Sequence, residues 1–198
     1  MKAVRGTAAA LLALLAALAV TGCSSSSAAG GDASPTPTPV QPSPVSTLNG
    51  TTDIAWLQLM TPMNEGAVEL LTMAVDRSAD PRLRGWAKEL ATGHRAELGR
   101  MRPMLTQLGL PLTNVHEGHE MPGMVTPGDL AKARDAAGPA FETLVVTQIR
   151  EHLEHSVQLS RSEVDAGSEA AAKKLAASLI TTRQAELDTL DDLERATS

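Results

Sequence analysis

Cysteine occurs once in 198 residues, phenylalanine once, tryptophan twice and tyrosine not at all. One cysteine leaves no internal disulfide to staple the chain. No stretch alternates apolar and polar residues as a half-buried strand does, which argues against a sheet protein. No basic cluster stands anywhere, and with so few aromatic side chains to stack on bases the chain has no footprint for nucleic acid. G-x-S-x-G and Gly-rich phosphate loops are missing, and no free thiol is expected, so no nucleophile constellation supports an enzyme.

What is present begins with an export pattern. Lys2 and Arg5 precede the apolar run "AAALLALLAALAV", and V-T-G-C ends at the lone Cys23. The run is short for a membrane span and lacks a stop-transfer flank, so it reads as a leader, residues 1–22, removed before Cys23. That arrangement suits lipoprotein processing, in which the Cys23 thiol is lipidated. Two acyl chains of a diacylglycerol then anchor the protein stably, facing the extracytoplasmic side of the cell membrane. Residues 23–52, "CSSSSAAGGDASPTPTPVQPSPVSTLNGTT", have almost nothing to bury and read as a Ser/Gly then Pro/Thr-rich tether. Residues 53–198 form one domain. Without Lys2 and Arg5 the mature chain has 15 basic against 23 acidic residues.

That domain is expected to be all-helical. Trp56, Leu59, Met60, Met63, Ala67, Leu70, Leu71 and Ala74 recur at spacings of three and four, one apolar stripe of a first helix from about 53 to 78. Asp80-Pro81 supplies an N-cap and a first-turn proline for a second helix, with Leu83, Trp86, Leu90, His94, Leu98, Met101 and Leu105 on its stripe. Pro62 and Pro103 fall inside these patterns, where a kink or local break is expected. Thr126-Pro127 opens a short helix ending near 138. Long helices follow over about 139–166 and from the Gly167-Ser168 turn to about 196.

The two halves repeat. A shift of 89 positions sets "WAKELATGHRAEL" (86–98) on "LAASLITTRQAEL" (175–187), with Ala87/Ala176, Leu90/Leu179, Thr92/Thr181, Ala96/Ala185, Glu97/Glu186 and Leu98/Leu187 identical. The same shift pairs Val68/Val157, Val75/Val164 and Asp76/Asp165 without a gap. Two similar hairpins, each apolar on one face, bury those faces against each other. The expected fold is therefore a four-helix bundle of two repeated hairpins, joined by a crossover connector carrying a short helix.

With "M-x-P" leading into "G-A-V", the Q-A-E-L end of the repeat and a Met-Pro-Gly-Met connector, the chain resembles the bacterial exported family called domain of unknown function 305. The resemblance implies a ferritin-like four-helix bundle, usually with a His-His pair after "M-x-P", and some members are associated with copper. Here Met63 and Asn64 stand at the first pair, while the second keeps His152 beside Leu153.

Candidate ligands follow from donor chemistry. "HEGHEMPGM" (116–124) offers the imidazoles of His116 and His119 and the thioethers of Met121 and Met124. Imidazole suits Cu(II) and zinc, and thioether suits Cu(I). The plain alternative is a connector whose methionines plug the bundle end and whose histidines are solvated or cap helices. His152 lies one turn from His155, and the repeat sets it opposite Met63, a thioether–imidazole pair if the first and fourth helices meet. His94 and Glu97 lie one turn apart, but no E-x-x-H exists, which argues against a di-iron centre. Glu97 and Glu186 read as partners of arginines. Two functions remain: a membrane-anchored copper-binding domain for sequestration or delivery, and a metal-free structural or interaction module of the cell envelope.

Overall fold

The computed structural model describes residues 50–195. The leader, Cys23 and nearly all of the tether lie outside the described residues. Five helices account for most of the described chain: α1 (Thr51–Arg77), α2 (Pro81–Gln107), α3 (Pro127–Asp135), α4 (Gly138–Ala166) and α5 (Ala170–Arg195). No strand forms among the described residues. The four long helices are the expected bundle, paired α1 with α2 and α4 with α5, and the hairpins meet chiefly along α1 and α4.

Helix ends follow local chemistry. The Asp80 side chain accepts from the Arg82 amide at 2.8 Å with Pro81 in the first turn, which caps α2. Thr126 and Asp129 cap each other's backbone at the start of α3, satisfying two amides that the helix leaves open. Glu142 on α4 accepts from Ser78 Oγ at 2.7 Å and from the Ala79 amide at 2.8 Å, so the second hairpin caps the turn of the first. Pro62 and Pro103 sit inside α1 and α2, and both helices continue through them without a break. The repeat is visible in the boundaries: 89 positions carry Arg77, the end of α1, onto Ala166, the end of α4, and Pro81 onto Ala170, where α2 and α5 begin.

The core has two apolar clusters. One gathers Leu70, Leu71, Trp86, Leu90, Phe141 and Ile149 with their neighbours. The other gathers Trp56, Met60, Met63, Met101, Met124 and Leu179. Along α1, α2 and α5 four buried polar residues fall where one cluster gives way to the other: Asn64, then His94 and Glu97, then Arg183. On α4, His152 adjoins the end of the first cluster at Leu153. The bundle is thus crossed at mid-height by a polar layer sealed between apolar ones.

Candidate functional site

Two groups of side chains carry the chemistry of this domain: the connector between the hairpins and the polar layer beneath it. In the connector, the Met124 amide donates to Met121 O at 3.1 Å, and Gly123 has φ 73°. Pro at the second and a left-handed Gly at the third position of that turn give it type II character, as the Pro-Gly pair predicts. Glycine is also required by space. A Cβ on Gly123 would stand 2.6 Å from His155 Cβ, and one on Gly66 would stand 2.4 Å from Val125 O. The segment therefore lies directly on the backbones of α4 and α1.

The turn divides the four candidate connector ligands. His116 and His119 line one cleft of about 360 Å³ together with Glu117, Glu120, Met124 and Pro62. Their ring centroids are 6.3 Å apart. His119 is exposed, while His116 is half-buried and its Nε2 is closed to solvent with no hydrogen-bond partner. Met121 faces the recess on the other side of the turn, with Asp129 and Glu151. Met124 is buried among Met60, Met63 and Met101, and Met121 packs against the same cluster. The connector's thioethers thus do close the bundle, and Met124 does so while also lining the histidine cleft.

In the polar layer, Arg183 organises the carboxylates. Its Nη1 donates to Glu97 Oε1 at 3.1 Å and to Glu186 Oε2 at 3.0 Å, and its Nη2 donates to Asn64 Oδ1 at 3.2 Å. Asn64 Nδ2 donates in turn to Glu97 Oε2 at 3.0 Å. The two repeat-related glutamates share one arginine, as their sequence context suggested. Burial pushes Glu186 up to about 7, against the pull of Arg183.

His94 and His152 lie in the same layer, both fully buried. Their Nε2 atoms are 3.0 Å apart. The Nδ1 of His94 is 3.0 Å from Leu90 O, and the Nδ1 of His152 is 3.2 Å from Gly123 O. The connector therefore positions His152 through the Gly123 carbonyl. Burial holds His152 down at about 3, and burial together with Arg183 holds His94 well below the usual histidine range. Met63, placed opposite His152 by the repeat, is fully buried in the methionine cluster on α1, one residue from Asn64. His155 is half-buried, its Nδ1 3.0 Å from Glu151 O one turn back. Sequence reasoning treated His94 with Glu97 and missed its pairing with His152. The available signal was its place on the apolar stripe between Leu90 and Leu98, where a histidine must find a buried partner. Among the described residues no three His, Cys, Asp or Glu side chains converge as a metal cage.

Against known proteins, residues 53–194 match the family described as domain of unknown function (DUF305). A DUF305 protein of Streptomyces coelicolor, assigned to the secreted proteins, has a similar structure. It is 24% identical, covers 72% of this chain and 91% of its own, and superposes with a TM-score of 0.64. A DUF305 fragment from Deinococcus radiodurans is 19% identical over 72% of this chain and 95% of its own, with a TM-score of 0.63. CopM in its Cu(II)-bound form is 20% identical over 74% of this chain and 97% of its own, with a TM-score of 0.64. CopM is also known in a Cu(I)-bound form, at 19% identity and a TM-score of 0.62. No curated protein matches the sequence.

Proposed function

This chain belongs to the DUF305 family, and from that premise we propose that it is an exported, lipid-anchored domain that binds copper at its connector, for sequestration or delivery. The observation that carries the reading is the Nε2 of His116, buried in a cleft that His119 shares and without a protein partner. A buried nitrogen lone pair left unpaired is costly, and a metal ion is one way to satisfy it. The donor set fits copper in both oxidation states, with two imidazoles for the oxidised ion and the thioether of Met124 at the cleft for the reduced one. The occurrence of this fold in CopM with Cu(I) and Cu(II) bound is in keeping with that choice.

The role is binding, not catalysis. His116 and His119 would capture the ion from outside, since His119 stands in solvent. Met124, and Met121 across the turn, would offer soft donors nearer the core. The V-T-G-C leader end and the Ser/Pro/Thr tether support a lipid on Cys23 that holds the domain at the membrane, within reach of copper crossing the envelope.

Elemental analysis of the exported protein, followed by metal titration, tests the reading. His116→Ala with His119→Ala is expected to remove most Cu(II) binding. Met121→Leu with Met124→Leu is expected to keep the fold, because apolar volume is conserved, and to weaken Cu(I) binding against a competing chelator. Copper affinities equal to wild type in both double variants would leave the connector as a structural plug, which favours the metal-free envelope module.

A further inference from the structure

Among the described residues the exposed large apolar side chains all fall in one short stretch: Leu108 at 38%, Leu112 at 52% and Val115 at 45%. Scattered singly, such residues are ordinary on any surface; gathered in one segment they mark a contact. From Pro103 to Val115 this segment carries no charged residue, although the chain as a whole is acidic.

Local chemistry holds the segment in this form. Helix α2 ends on Gly109, whose φ is 69°. The Gly109 amide donates to Thr106 O at 3.0 Å and the Leu110 amide to Leu105 O at 2.9 Å, the paired bonds of a glycine-ended helix. Leu110 packs on the cluster that contains Leu105, the apolar contact that accompanies such an ending. Pro111 follows, with no amide to extend the helix. With Leu110 pinned inward, Leu108 and Leu112 on either side of it are left in water.

The place of these side chains in the fold indicates what covers them. Leu108 shares a groove of about 300 Å³ with Asp53 and Leu57 at the start of α1 and with Ala171 and Ala172 at the start of α5. It therefore stands at the end of the bundle where the chain arrives from Cys23, with α1 beginning at Thr51. Leu83 and Val146 lie at the opposite end, in a recess shared with Leu193.

We propose that Leu108, Leu112 and Val115 form a docking surface for the lipid bilayer that holds the Cys23 anchor, a proposal that rests on the lipid-anchor reading. A few apolar side chains bind a bilayer weakly from solution, but an anchored domain meets it at a high effective concentration. Because the segment is uncharged, the contact is with the apolar boundary of the bilayer and does not depend on headgroup charge or salt. Asn114 and His116 already line the connector cleft. Docking of Leu112 and Val115 therefore fixes how that cleft faces the membrane.

The anchor can be supplied chemically, because Cys23 is the one cysteine of the chain. The mature protein is coupled through that thiol to a maleimide-headgroup lipid in phosphatidylcholine nanodiscs that also contain a nitroxide-labelled lipid. Isotope-labelled Leu and Val methyl groups then report their distance from the bilayer by broadening. The expected result is that Leu108, Leu112 and Val115 broaden severalfold more than Leu83 and Val146, and equally so in high salt. Leu108→Ser with Leu112→Ser changes only exposed positions, and should bring the broadening at Val115 down to the level of Leu83. Equal broadening at the two ends, or more at Leu83 and Val146, would overturn the proposal. So would shifts of the three methyls with protein concentration in the absence of lipid and no excess broadening on the discs, which would make a second copy of the chain the occupant. An exported protein without lipid on Cys23 would defeat the anchor reading but leave this readout intact, so the two fail separately.

Discussion

Arg183 grips both carboxylate oxygens of Glu97, at 3.1 Å from Nη1 and 2.5 Å from Nη2, with almost no solvent at either side chain. The pair ties α5 to α2, two helices that otherwise touch little, and Asn64 on α1 joins it. A buried ion pair of this kind contributes more to the register of helices than to net stability, yet breaking it strands a charge. Arg183→Met is therefore expected to cost about 3–5 kcal/mol, since Glu97 would remain buried without its cation. Adding Glu97→Gln should return most of that loss. Urea denaturation of the single and double variants measures both effects, and strictly additive losses would show that the two side chains are not coupled.

At the other end of α1, the buried carboxyls of Asp53 and Glu163 titrate in opposite directions. Asp53 accepts from the Ser168 and Glu169 amides at 3.1 and 2.8 Å, which caps the start of α5. Buried as it is, those bonds and the neighbouring Glu163 bring it down to about 2. Burial beside the Asp53 carboxylate pushes Glu163 up to about 8. A folded-state pKa above the unfolded one gives stability that is complete in acid and is lost as pH rises to the folded value. The Glu163 contribution therefore fades between about 4.5 and 8, while that of Asp53 fades as pH falls from about 4 toward 2. The buried, neutral His94 and His152 act the other way below about pH 6.5, where the unfolded histidines take up protons. Maximum stability is therefore expected between about pH 5 and 6.5, with Tm lower at pH 9 by on the order of 5 °C. Glu163→Gln should flatten part of the alkaline slope, the rest belonging to Glu186. A melting temperature independent of pH between 5 and 9 would contradict this assignment.

The helices and their pairing were legible because each is written locally, in stripes of three- and four-residue spacing and in caps such as Asp80-Pro81. The repeat made the hairpins legible as well, since the 89-position register survives in the helix ends. Pro62 and Pro103 show the limit of local rules: α1 and α2 stay helical through both prolines, the one buried and the other exposed. The polar layer was only partly legible. Glu97 and Glu186 announced an arginine through their repeat, but which arginine depends on α5 packing 86 residues away from Glu97 in the chain. The pairing of His94 with His152 was hidden for the same reason. It depends on side chains from α2 and α4 reaching each other across the bundle interior under a connector carbonyl, and no spacing within either helix encodes that contact.

Anchoring is a separate prediction, resting on sequence alone. Cys23→Ala should either leave the leader attached or release the domain, because the two acyl chains are lost. No helix among the described residues is long and apolar enough to cross a membrane, so none of them offers a substitute span. Membrane fractionation and intact-mass measurement read the outcome. A free, unmodified Cys23 thiol in the wild-type mature protein would refute the lipid anchor.

The connector's hold on the bundle makes the last prediction. Gly123 combines φ 73° with a space that admits no Cβ, 2.6 Å from His155 Cβ and 2.9 Å from Glu151 O. Gly118 shares the left-handed backbone, at φ 82°, but stands in open space. Gly118→Ala should therefore cost only backbone strain, of about 1 kcal/mol. Gly123→Ala should cost that strain plus the collision, about 2–4 kcal/mol together, because helix α4 cannot retreat without disturbing Ile149 and Leu153 in the core. The difference has a local signature. When the turn lifts, Gly123 O leaves His152 Nδ1, and the ring is released from its tautomer. In Gly123→Ala the His152 nitrogens should shift toward a mixture of tautomers, while in Gly118→Ala they should stay as in wild type. Equal stability losses in the two variants, with His152 unchanged in both, would show that the Met-Pro-Gly-Met turn does not fix the histidine.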